Sequence, residues 1–329
     1  MNGFADIFGQ ERAVGKLRRA LTLGKPHHAY LFDGPEGIGK HTTALIFAQA
    51  FSCQRHPGEG CGQCESCRKI SEGIHPDVIA FEVRNEEGKE KGQAERAREL
   101  IPRLAYAPHE GRVRVVIIDP AHELNGTAAN ILLKTLEEPP PRTHFVLITP
   151  VASSLLSTIR SRCQRLQFRP LDDEAVARWL VERRGIEAGT ASSAAALSGG
   201  SLGRALQLAA SDELGPRRER AARMLAAARS GKVHAALDAA ADLAGDRDEA
   251  EATLDLLWVA FRDAVLLSQG VDDAPSRRAD RAKLAGLPVI HLLVGLHAVE
   301  EARSAIGRFV SPQLAIERLL LRIGQTGAA

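Results

Sequence analysis

Aromatic side chains are scarce in this sequence, at 4% of 329 residues, with only two Trp and two Tyr. A surface that held single-stranded nucleic acid by stacking many bases would need more of them. Neither sign of charge dominates. The 43 Lys and Arg face 41 Asp and Glu, a formal net charge of +2. That excludes a histone-like coat on DNA as the main mode of action and leaves any nucleic-acid contact to a local patch. No apolar run approaches the roughly 18 residues of a membrane span, so no membrane partner is expected. The opening residues, MNGFADIFGQERAVGK, lack a basic stretch followed by an apolar one, so no signal peptide is expected and the expected compartment is the reducing cytoplasm. What is present is ordinary for a globular protein: 44% hydrophobic and 26% charged residues. A chain of this length is expected to form about two or three domains and to need no disulfide staples.

Cysteine is rare but clustered. Of five in the chain, Cys53, Cys61, Cys64 and Cys67 lie within residues 53–67, in the pattern C-x7-C-x2-C-x2-C. In a reducing compartment such a cluster points to metal binding rather than disulfides. Four thiolates close the shell of one tetrahedral Zn²⁺ and leave no position open for chemistry, so the expected role is structural. An iron–sulfur pattern would place a further Cys where Ser71 stands. A CxxC redox pair would leave two of the four cysteines unexplained. His75 lies close by, but the shell is already complete, so a capping or packing role is expected for it.

Apolar runs at 28–32, 77–83, 113–119, 144–149 and 165–168 predict five strands. Those at 113–119 (VRVVIID) and 144–149 (HFVLIT) have the unbroken apolar character of strands buried on both faces of a parallel sheet. Helices are expected over 1–25, 41–51, 93–104 and 125–138, the last ended by Pro139-Pro140-Pro141. Residues 84–92 read as a solvated loop, and 90–103 as a mixed-charge, solvated helix face. Beyond 169 the strand–helix alternation stops. Residues 172–210 read as short helices broken at LSGGSLG (197–203), and 213–325 as Ala- and Leu-rich helices that hold no heptad for long, hence a globular bundle.

Between the first strand and the next helix runs Gly34-Pro35-Glu36-Gly37-Ile38-Gly39-Lys40, the first seven positions of a phosphate loop. Backbone N–H groups and a helix N-terminus there form a nest for an anion, and Lys40 adds a point charge. Gly34, Gly37, Gly39, Lys40 and Thr42 are therefore candidate nucleotide-binding residues. The eighth position of such a loop is Ser or Thr, whose hydroxyl binds Mg²⁺. Here it is His41, and Thr42 is rotated by about 100° on the helix. The strand 113–119 ends at Asp119, where a metal-organising carboxylate belongs. The next position carries Pro120, which can neither take a proton nor orient water. The turn of a nucleotide site is thus present without its metal ligand or its base. ATP binding stays open, and ATP hydrolysis by this site is not expected.

These motifs resemble those of the bacterial DNA polymerase III clamp-loader subunits, within the AAA+ ATPases. The resemblance rests on Phe8-Gly9-Gln10, HAYLF (28–32), GPEGIGK (34–40), the four-Cys insert, His75-Pro76-Asp77, RVVIIDPAHELN (114–125), NILLKTLEEPP (130–140) and STIRSRCQ (157–164). It covers residues 4–168; the rest matches only in length and helicity. It implies an α/β P-loop domain with a zinc insert over 1–168, a small helical lid over 169–210 and an all-α collar, the oligomerisation domain, over 211–329. Motor subunits of the family, gamma or tau, keep Lys-Thr at the loop and Asp-Glu after the strand. They also keep a sensing Arg in GS-x-R, where this chain has Gly203, with Arg204 one residue on. The departures resemble the delta-prime class, a stator without ATPase activity of its own. In that class Ser161-Arg162-Cys163 would supply Arg162 in trans to a neighbour's ATP site. A lone surface Arg is more often solvated or salt-bridged. Here the resemblance implies the trans role, and Cys163 is expected as a packed apolar side chain. The implied partners are the gamma/tau motor and delta subunits and, through the complex, the sliding clamp and primer-template DNA, at the replisome. Two alternatives remain: a working gamma/tau-like ATPase using Lys40, Asp119 and Thr42, or a zinc-dependent DNA-binding module. Ser157 and Ser161 lack a His/Asp arrangement and are not nucleophiles. Arg112, Arg114, Arg142 and Arg160 are candidates for contact with DNA phosphates, but scattered arginines more often only keep a surface soluble, and no such role is assigned to them.

Overall fold

The computed structural model describes residues 3–83, 92–211, 213–243, 246–270, 284, 286–307 and 310–326. The chain divides into two compact units, Met1–Leu171 and Asp172–Ala329.

In the first unit five parallel strands form one sheet: β1 (Ala29–Asp33), β2 (Val78–Glu82), β3 (Arg114–Asp119), β4 (Thr143–Thr149) and β5 (Gln164–Gln167), in the order β2-β3-β4-β1-β5. The apolar runs alternate between two helical layers. Tyr30, Phe32, Val115, Ile117, Val146 and Ile148 pack towards α1 (Glu11–Thr22) and α2 (Lys40–Ser52). Leu31, Val116, Ile118, Phe145 and Leu147 pack towards α4 (Gln93–Ala105) and α5 (Gly126–Glu137). Burial on both faces is why β3 and β4 read as continuous apolar runs. β5 lies at the sheet edge, and only Leu166 of its four residues is buried. Asn125 caps α5, its side chain accepting from the Ala128 N–H (2.8 Å), and the helix stops before Pro139.

One expectation needs correction. The first 25 residues are not one helix: a 3-10 turn spans Gly3–Asp6, Gly9 takes a left-handed φ of 71°, and α1 begins only at Glu11. The cysteine segment contains a helix of its own, α3 (Glu65–Ser71). The loop expected at 84–92 lies outside the described residues except for Gly92, the N-cap of α4.

The second unit is helical among its described residues: α7 (Asp173–Arg184), α8 (Ala188–Ser198), α9 (Leu202–Ala210), α10 (Leu214–Arg229), α11 (Val233–Ala241), α12 (Arg247–Ser268), α13 (Val289–Gly307) and α14 (Pro312–Thr326). A core of buried residues between Ala221 and Ile323, with Leu257, Phe261 and Leu320 at 1% exposure or less, joins α10 to α14. Residues 271–283, part of the stretch expected to be helical, lie outside the described residues. No helix among the described residues is long and apolar enough to cross a membrane.

Candidate functional site

The phosphate loop follows β1 at the C-terminal end of the sheet, where parallel α/β folds place their ligands. Gly34 has φ 149°, and a Cβ there would lie 2.3 Å from the Phe168 carbonyl oxygen, so only glycine lets β1 leave the sheet so tightly. Gly39, left-handed at φ 95°, is the N-cap of α2. Asp33, 5% exposed at the end of β1, accepts from the Ala152 N–H (2.8 Å) and pairs with Arg165 of β5.

Lys40 and His41 at the end of this loop both have partners within the domain. Lys40 is 5% exposed, and its Nζ donates to the carbonyl oxygens of Gly34 and Pro35. Burial lowers its pKa from the usual lysine range, against the opposing pull of Asp119, Glu36 and Asp33. His41 Nδ1 lies 2.9 Å from Asp119 Oδ2. The residue standing where a metal-binding hydroxyl belongs therefore occupies the carboxylate that would organise the metal. Pro120 follows, after a cis peptide bond. Thr42 is exposed, and Thr43 is buried with its Oγ1 donating to the Gly39 carbonyl (2.8 Å). The fold brings Gly34, Gly39, Lys40, His41 and Asp119 together and leaves Thr42 facing solvent. In the second unit Arg204 is exposed on α9, whose N-cap is Ser201.

Ser161-Arg162-Cys163 lies between the short helix α6 (Ser157–Arg160) and β5. The Arg162 side chain is 34% exposed and salt-bridged within its own chain, Nη2 to Glu137 Oε1 at 2.6 Å. Its Nη1 donates to the Thr158 carbonyl (3.0 Å) and to Ser161 Oγ (3.4 Å). Cys163 packs against the buried cluster of α4 and α5, and burial pushes its thiol up to about 12. It stands apart from the other four cysteines, as expected.

Those four converge. The sulfurs of Cys53, Cys61, Cys64 and Cys67 all lie within 4.8 Å of one another, and the pairs Cys61–Cys67 and Cys53–Cys64 are 4.0 Å apart. Tetrahedral zinc with Zn–S bonds near 2.3 Å needs edges of about 3.8 Å. The cluster can therefore hold a metal ion, and none of the four is in a disulfide. The His56 N–H points at Cys53 Sγ (3.2 Å) and the Cys64 N–H at Cys61 Sγ (3.3 Å), bonds that favour thiolates. Burial works against a thiolate at Cys61, but N–H groups of Gln63 and Cys64 prevail and lower it to about 6. His75 is not part of the cluster. Its Nδ1 accepts from the Asp77 N–H (3.1 Å), so Nε2 carries the proton and donates to Ser66 Oγ (3.1 Å). The module is tied to α2 through Gln49, whose Nε2 donates to the Cys67 carbonyl (3.0 Å) and to Ser71 Oγ (2.9 Å).

Sequence reasoning missed Asp33 and Glu137 as individual residues. Asp33 had a readable signal, a lone carboxylate closing an apolar strand just before the first loop glycine. Glu137 lay inside a motif quoted only for resemblance.

A family model described as "DNA polymerase III, delta subunit" matches residues 9–172. DNA polymerase III subunit tau of Escherichia coli (strain K12) is 38% identical over 174 residues, covering 53% of this chain and 26% of that protein. Subunit tau of Bacillus subtilis (strain 168) is 39% identical over 174 residues, covering 53% of this chain and 30% of that protein. The chain thus spans less than a third of the length of either relative. A gamma subunit-related protein from Thermotoga maritima has a solved structure that covers 96% of this chain and 99% of its own, at 17% identity and a TM-score of 0.43, and nothing further rests on that likeness.

Proposed function

We propose that this chain, whose residues 9–172 belong to the DNA polymerase III clamp-loader family of AAA+ proteins, is a delta-prime-like stator in a loader that opens a sliding clamp and places it on primed DNA. One contrast carries the reading. The chain's own nucleotide loop pairs His41 with Asp119 and has Pro120 at the base position, while Ser161-Arg162-Cys163 keeps its family sequence at a solvent-reachable edge. Arg162 then acts in trans, stabilising charge on the phosphoryl group transferred at a neighbouring motor subunit's ATP site. Its partners are gamma/tau-type motors and a delta-type subunit, with the clamp and primer-template DNA reached through the complex, in the cytoplasm at the replisome. The separation of a lid (169–210) from a collar (211–329) is supported by the core spanning Ala221–Ile323, which includes no buried residue of α7–α9. The four cysteines hold a structural Zn²⁺, a reading supported by the convergence of their sulfurs within 4.8 Å.

The test is ATP turnover by a loader reconstituted with this chain, its clamp and primed DNA. Arg162→Ala is expected to remove turnover at the neighbouring site, about a thousandfold on the scale of trans arginines. Lys40→Ala is expected to leave turnover within about twofold, since its loop does not use Mg²⁺-ATP for chemistry. The reverse pattern would establish a live ATPase site in this chain and end the stator reading.

A further inference from the structure

We infer that Glu137 is a positioning residue for Arg162, holding its guanidinium in a single orientation at the edge of the domain. The inference rests on the trans role proposed above for Arg162. Two segments grip this side chain from different directions. The turn of α6 takes Nη1, through the Thr158 carbonyl and Ser161 Oγ. The last residue of α5 takes Nη2, through Glu137 Oε1 at 2.6 Å. A rigid, planar fork gripped at both Nη nitrogens cannot swing about its long stem, while its unused N–H donors stay available to another acceptor. The grip is selective. Arg160, two residues earlier in the same turn, has no side-chain hydrogen bond or ion pair among the described residues. Glu137 is also well placed to persist there: it ends α5 just before Pro139-Pro140-Pro141, which fix where that helix stops.

Masking of the charge is the competing role for a carboxylate beside a trans arginine. The Glu137 side chain is 47% exposed and that of Arg162 34%. Water screens a pair so exposed, and the guanidinium keeps most of its attraction for a more highly charged phosphate. Orientation survives such screening because the hydrogen-bond geometry does not depend on the net charge. An acceptor of the same shape without charge should therefore do most of the work.

The experiment is a double-mutant cycle in the reconstituted loader, reading kcat and KM for ATP with clamp and primed DNA present. Glu137→Ala is expected to lower kcat by about threefold to fivefold, the range of one exposed ion pair, with KM unchanged. Glu137→Gln, which still accepts from Nη2, should keep more than half of the wild-type kcat. In the Arg162→Ala background, Glu137→Ala should do nothing further. A Glu137→Ala loader with wild-type or raised turnover overturns the positioning role, the raised value pointing to masking. So does a Glu137→Ala loss that multiplies with that of Arg162→Ala. In each of these cases a large effect of Arg162→Ala leaves the stator reading intact. If Arg162→Ala itself is silent, the stator reading fails and the role of Glu137 falls with it.

Discussion

The phosphate loop and the Ser161-Arg162-Cys163 edge are built on the same sheet, yet the cation of the first is buried and that of the second is not. At the loop, Lys40 is buried and bonded to backbone carbonyls, and Asp119 is paired with His41. At the edge, Arg162 is held by three partners but remains open to solvent. The fold of a nucleotide site survives in the first place because glycines and strand ends set it. On the stator reading proposed above, its chemistry is withdrawn by two side-chain identities, His41 and Pro120. That reading makes backbone architecture and catalytic capacity separable in this domain, the first kept for a partner's site.

The four-cysteine module, with the zinc proposed for it, should break this contrast most strongly. Gln49 bonds the module to α2, the helix that begins at Lys40. Stripping zinc with a chelator, or Cys67→Ser at a fully buried position, should disorder the module, since structural zinc is worth about 10 kcal/mol of apparent folding energy. Metal analysis should give one equivalent in the wild type and none in the variant. Hydrogen exchange should rise along α2 and in the loop and stay unchanged in 157–167. Equal loosening of both regions would mean that the module braces the whole sheet.

Asp77 offers a smaller, control-like perturbation, because it sits at the start of β2, at the opposite end of the strands from the loop. Its carboxylate accepts from the N–H groups of His109 (2.7 Å), Glu110 (2.8 Å) and Gly111 (2.7 Å). Burial raises its pKa, but those three bonds prevail and hold it below the usual carboxylate range. Asp77→Ala should cost about 3 kcal/mol in denaturant unfolding, from orphaned donors, while leaving the role of Arg162 intact in any loader that still assembles.

The mildest effect is expected from pH. Burial lowers His75 and His144 from the ordinary histidine value, near 6.5. The unfolded chain then binds protons more readily than the folded one, so their contribution to stability is complete above about pH 6.5 and lost as pH falls below it. The melting temperature should be lower at pH 5 than at pH 7.5. His75→Gln and His144→Gln should each flatten that dependence. A melting temperature that rises on acidification would contradict the assignment of both as buried neutral groups.

Much of this was legible in the sequence, for local reasons. The runs at 113–119 and 144–149 announced buried strands, because burial on both faces leaves no polar alternation to misread. The cysteine spacing announced a metal-sized cluster, because four thiols brought together by tight turns have few other uses. The helix α3 was hidden, since a seven-residue helix among glycines and cysteines carries too little periodicity. The 3-10 turn ahead of α1 was missed because Val14, Leu17 and Leu21 gave a helical period that does not reach back to residue 3. The pairs His41–Asp119 and Arg162–Glu137 were beyond reach for another reason. They join residues distant in sequence, and only the closed sheet and its flanking helices decide that those side chains meet.

Binding of ATP to the full chain, titrated with and without Mg²⁺ and compared with His41→Thr, tests most directly whether the loop has kept its fold and lost its metal. In the wild type, Mg²⁺ should leave the affinity for ATP unchanged. In His41→Thr, which frees Asp119 and restores a hydroxyl at the eighth loop position, Mg²⁺ should tighten binding by about tenfold, about 1.4 kcal/mol. Wild-type binding that Mg²⁺ strengthens and Lys40→Ala abolishes would contradict this, and would make the loop a working nucleotide site.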